Sequence, residues 1–127
     1  MKNVIFACLL AASAAPAAAE WTRVGESNEI TFYIDFQTIS TNGNLRQISQ
    51  ILDLKRREEY DVMSSLVRLE FDCKAKRQRI LAVTLHAGAM IGGQVIRRLG
   101  EDPAGWTAIP PSTAGATALK TVCAYGR

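Results

Sequence analysis

Residues 65–73, Ser65-Leu66-Val67-Arg68-Leu69-Glu70-Phe71-Asp72-Cys73, decide the fold. Val67, Leu69, Phe71 and Cys73 fall at every second position, with Arg68, Glu70 and Asp72 between them, so a period of two assigns a strand with one apolar and one charged face. Cys73 then points to the core side. The same alternation continues on both sides of this stretch. Downstream, residues 79–86 form an apolar strand with Leu81, Val83 and Leu85 inward, and residues 94–99 a shorter one after Gly92-Gly93. Upstream, Ile30, Phe32, Ile34 and Phe36 share one face while Thr31, Tyr33 and Asp35 share the other, and a short strand opens around Trp21.

Two segments need more than periodicity. Leu45 to Leu54 fits a strand through Ile48, Leu52 and Leu54 and a helical face through Leu45, Ile48 and Leu52. The turn signal Asn42-Gly43 directly before it favours a strand. Pro110-Pro111-Ser112 reads as the start of a helix with Ser112 as N-cap, Leu119, Val122 and Cys123 on one face, and Gly126 as the stop. The expected fold class is α+β: an antiparallel sheet of about five to six strands in a meander, with a C-terminal helix tied to it by one disulfide.

The chain begins Met1-Lys2-Asn3, continues with an apolar run from Val4 to Leu10, and reaches Ala17-Ala18-Ala19 before Glu20. A short positive end, an apolar stretch too brief to span a bilayer and small residues before the cut are the marks of a secretory signal, with cleavage expected after Ala19. Residues 1–19 are therefore read as signal peptide and 20–127 as one domain. Cys8 sits too close to the start, behind Phe6 at a small-residue position, for a lipoprotein signal. No other segment is a transmembrane candidate. Cleavage leaves Cys73 and Cys123, and an exported chain meets an oxidising compartment in which an even pair is expected to close. Two free thiols or a metal pair are the alternatives to that bridge.

Of the 15 Lys and Arg, cleavage removes Lys2, leaving 14 against 12 acidic residues. That balance excludes a bulk nucleic-acid binder, and any basic partner site has to be local. Catalytic and cofactor motifs are missing. His86 is the single histidine, which leaves a zinc site or a triad without partners, and on the outward face of its strand it reads as a rim residue. Ser64-Ser65 lacks the glycines of a nucleophile elbow. Gly88, Gly92 and Gly93 lack phosphate-loop spacing and read as a tight turn or bulge. A non-enzymatic protein without cofactor or metal is the expectation.

Basic clusters stand at Lys55-Arg56-Arg57, at Lys74, Lys76, Arg77 and Arg79, and at Arg97-Arg98. In a meander the turn at 74–77 and the strand end at 97–98 would share an edge, with 55–57 at the other. Lys74, Lys76, Arg77, Arg97 and Arg98 are accordingly the candidate anion-binding edge, for an anionic glycan, an acidic lipid headgroup or an acidic protein. The alternative is a set of scattered charges that keep a sheet soluble.

Trp21, Tyr33-Ile34-Asp35, Ser64-Ser65, Phe71-Asp72-Cys73 followed by Arg77 and Arg79, Gly88-Ala89-Met90-Ile91-Gly92-Gly93, Trp106, Pro110-Pro111-Ser112 and Cys123 occur in an order that resembles the surface-adhesin E-like family of proteobacterial exported proteins. The resemblance covers nearly all of residues 20–127. It implies an antiparallel sheet with a disulfide-tied C-terminal helix, no catalytic residues, and adhesion to host extracellular-matrix components. This chain departs from it in lacking a lipobox, in His86 where an aromatic residue is expected and in Pro111 where glycine is expected. Location in the periplasm, or secreted and at the cell surface, follows from the signal peptide. A periplasmic protein that binds an anionic cell-wall component or inhibits a lytic enzyme is the second reading. An exposed edge strand could support a homodimer.

Overall fold

The computed structural model describes residues 20–57 and 59–125. Residues 1–19, for which a signal peptide is expected and which include Cys8, and Gly126 lie outside the described residues. Eight strands form one antiparallel sheet: β1 (Thr22–Glu26), β2 (Ile30–Ile34), β3 (Ser40–Asn42), β4 (Leu45–Leu54), β5 (Ser64–Asp72), β6 (Arg77–His86), β7 (Val95–Leu99) and β8 (Thr107–Ala108). The helix α1 (Ala114–Ala124) ends the fold.

Six strands run in the order β1-β2-β4-β5-β6-β7, the meander expected from the sequence. The count of eight arises because two long strands each take two short partners along one edge. β2 pairs with β4 from Gln50 to Leu54 and β3 with Leu45 to Gln47. β7 pairs with β6 from Val83 to His86, and β8 with Arg77 and Gln78. The 45–54 segment is a ten-residue central strand, and Gly43, at φ 59, makes the turn into it that the Asn42-Gly43 signal called for.

Register places Ile48 opposite Leu69, Leu69 opposite Ile80 and Val67 opposite Val83, so their side chains lie on one face. There they form the core with Ile34, Phe71 and Ile109, and α1 closes it with Ala118, Leu119 and Val122. Each Val, Leu, Ile or Phe among them contributes about 1.5–3 kcal/mol when fully buried. An eleven-residue helix is marginal alone, so this packing and the Cys73–Cys123 disulfide hold α1 in place. Thr113, not Ser112, caps it: the Thr113 hydroxyl accepts from the Ala116 amide at 3.1 Å, and Ser112 turns at φ 65.

Two further expectations change in detail, and a third holds with an addition. Asp35 ends β2 early because its carboxylate accepts from the Gln37 amide at 3.0 Å and opens a 3-10 turn, yet Phe36 still packs on the core. Inward placement of Leu81 fails because the register shifts by one residue at Arg68/Leu69, which leaves Leu81 unpaired and puts Ile80 against the core. Glu70 and Asp72 do face away from the core, but both are buried.

On that second face the β6–β7 connection folds back over the sheet. The Ser64 hydroxyl donates to the Gly88 carbonyl at 2.6 Å and accepts from the Ile91 amide at 2.8 Å, while Asp53 accepts from the Met90 amide at 2.8 Å. Gly88 is required there because a Cβ would stand 2.7 Å from the Gly92 carbonyl carbon. His86 pairs with Ser64 in register beneath this loop and is half-buried, and its Nδ1 has no partner. It is therefore more enclosed than a rim residue, because the connection covers the end of its strand.

Candidate functional site

Asp72 organises the turn between β5 and β6. Its carboxylate accepts from the Lys74 amide at 3.2 Å, the Ala75 amide at 3.0 Å and the Arg77 Nε at 3.1 Å. The Ala75 amide is the chief cause that holds this carboxyl below its ordinary value; Arg77 and the Lys74 amide help, and burial opposes them. The turn closes on Lys76 at φ 53, whose carbonyl accepts from the Ile109 amide at 3.1 Å. Cys73, at the start of the turn, is bonded to Cys123 of α1 with an S–S length of 2.03 Å.

The disulfide thus brings one stripe of α1 beside the hairpin. Ala116, Leu119, Lys120 and Cys123 follow the i, i+3, i+4, i+7 spacing of a single helix face. Together with Cys73, Lys76, Ile109 and Pro111 they line a groove of about 590 Å³. Its floor is apolar. Lys76 comes from the hairpin wall and Lys120 from the helix wall, and both are exposed. Lys74 is exposed on the same turn. Among the described residues none of these three lysines is in an ion pair.

The remaining candidates behave differently. Arg77 and Arg79 lie on the second face with their guanidinium carbons 4.6 and 4.8 Å from the centre of the Trp106 ring. Arg77 pairs with Asp72 and Arg79 with Glu70 at 2.6 Å, and Gln47 also donates to Glu70 at 3.0 Å. Both guanidinium groups are paired with carboxylates of this face although they remain partly exposed, and the ladder covers the buried Glu70 and Asp72. Arg97 and Arg98 stand on β7 opposite Leu85 and Thr84. At the rise of a strand, that is roughly 23 Å along β6 from Arg77. The five basic residues do not form one patch: Lys74, Lys76 and Arg77 come together at the disulfide end, and Arg97 and Arg98 do not join them.

At the far end, Lys55 pairs with Glu26 at 2.9 Å and Arg57 donates to the Ala87 carbonyl at 3.2 Å. Sequence reasoning missed Lys120, although its place three residues before Cys123 puts it one helical turn from the bridge. Among the described residues, no group of three His, Cys, Asp or Glu could hold a metal ion, and no helix is long and apolar enough to cross a membrane.

A family model described as Surface-adhesin protein E matches residues 21–124. No curated protein matches. Among solved structures, the selenomethionine form of Haemophilus influenzae protein E is similar at 14% identity and a TM-score of 0.61, covering 83% of this chain and 86% of that one. Crystal form II of the same protein gives 15% identity and a TM-score of 0.61 over 84% and 90%. At such identities the likeness is one of fold.

Proposed function

The chain belongs to the surface-adhesin protein E family, and we propose on that premise that it is a non-enzymatic exported protein that adheres to anionic host extracellular-matrix components. The disulfide end of the domain is the contact surface. The observation that carries this reading is the convergence of Lys74, Lys76 and Lys120 from two distant parts of the chain, all exposed and without a carboxylate partner among the described residues. Cations that no internal partner neutralises project potential toward a ligand, whereas Arg77 and Arg79 are neutralised in place. A glycosaminoglycan or an acidic segment of a matrix glycoprotein has the matching charge.

Retention on immobilised heparin tests this assignment. The triple variant Lys74→Glu, Lys76→Glu, Lys120→Glu should elute in the flow-through at low salt, while Arg97→Glu with Arg98→Glu should elute near the parent protein. Equal retention of parent and triple variant would remove the disulfide end as the contact surface. Protease treatment of intact cells, with a periplasmic marker as leakage control, tests exposure: digestion while the marker survives supports adhesion, and protection of the protein argues against it.

A further inference from the structure

We propose that the groove beside the disulfide binds a long-chain carboxylate, its aliphatic chain along the floor and its carboxylate between Lys76 and Lys120. The inference goes beyond the matrix-adhesion reading and rests on it only for the cationic character of this end, since a long-chain carboxylate is not itself a matrix component. Charge complementarity supplies the head-group site, since the two cations enter from opposite walls and no acidic residue lines the groove. The floor supplies the rest. Pro111, Ala116 and the Cys73–Cys123 bridge, with the edges of the largely buried Ile109 and Leu119, form an apolar lining in a volume within the range of small-molecule sites.

A peptide fits this lining poorly. The Ile109 amide is already bonded to the Lys76 carbonyl, and the facing wall is a helix whose backbone groups bond internally. An extended chain lying there would bury its own amides without partners. An aliphatic chain has none to satisfy. Lys76 closes the turn in the left-handed region at φ 53, a conformation glycine adopts without steric cost, and its side chain lines the groove.

Calorimetric titration of the purified protein with octanoate, decanoate and dodecanoate, each below its micelle concentration, tests the proposal. Affinity should rise roughly two- to fourfold per added methylene. Lys76→Gly should weaken dodecanoate binding about tenfold or more without lowering the melting temperature, because glycine adopts the same φ freely. Lys120→Ala should weaken it comparably, and dodecyltrimethylammonium should not bind. Affinity independent of chain length, equal binding of the cationic amphiphile, or an unchanged Lys76→Gly titration would overturn the proposal. Lysine-dependent heparin retention with no dodecanoate binding would overturn the groove assignment and leave the anionic-ligand function standing. Loss of both in the parent protein would refute both.

Discussion

Reduction of the Cys73–Cys123 bridge should lower the stability of this domain by about 4 kcal/mol, the loop-closure entropy that a separation of 50 residues removes from the unfolded chain. For a domain of about 100 residues each kcal/mol moves the midpoint by roughly 4–8 °C, so the thermal transition should fall by about 15–30 °C. Thermal and urea unfolding of the oxidised protein, the reduced protein, Cys73→Ser, Cys123→Ser and the double variant measure it. All four bridge-free forms should fall by nearly the same amount, since the cross-link is lost whole at the first change. Amide protection should drop first in α1, whose remaining hold on the sheet is the packing of Ala118, Leu119 and Val122. A fall of less than about 5 °C, or a double variant much less stable than either single one, would refute the account. The first result would mean that the loop is already constrained in the unfolded chain, and the second that the cysteines act separately.

Gly88→Ala should destabilise by about 1–3 kcal/mol in urea unfolding, because its Cβ would meet Gly92 backbone atoms at 2.7 and 2.8 Å that no side-chain rotation can clear. Ser64→Ala should cost about 1–3 kcal/mol by orphaning the Gly88 carbonyl and the Ile91 amide, with faster hydrogen exchange at Ile91 as its local signature. Asp72 has a depressed folded pKa, so its stabilisation is present above its ordinary value of 3.8 and is lost as pH falls through the lower folded value. Asp72→Asn should therefore be less stable than the parent at pH 6, with the gap closing below pH 3.8; a gap constant with pH would refute that role.

The alternation of Val67, Leu69 and Phe71 revealed which residues share a face, and the structure places all three in the core. It carried no information about what covers the opposite face. Glu70 and Asp72 fall on the charged face as the alternation expects, but their cover comes from Arg77 and Arg79, which pair with them and stack on Trp106 from far along the chain. Leu81 shows a related limit: alternation counts residues, and one unpaired residue at the β5–β6 bulge reverses every face beyond it. In the candidate site, Lys74 and Lys76 were legible as a local cluster. Arg97 and Arg98 would join them only if two strand ends fell together, whereas β7 pairs along the far half of β6.

The disulfide links stability to the site. Lys76 and Lys120 stand on elements that share no backbone hydrogen-bond ladder, and their common groove forms where the Cys73–Cys123 bridge and the buried stripe of α1 hold the helix beside the turn. The turn itself is rigid, fixed by the Asp72 carboxylate and by the bond between Ile109 and the Lys76 carbonyl. The helix wall is held instead by the bridge and by its buried stripe. Freed from the bridge, α1 keeps its buried stripe but loses the covalent anchor at the end that carries Lys120. A ligand that needs both lysines must then restrain the helix on binding, which weakens the interaction by the cost of that ordering. A ligand that needs only the hairpin lysines is spared that cost. Oxidised and reduced protein therefore distinguish a groove ligand from one that touches the hairpin alone, in the same sample and without a substitution.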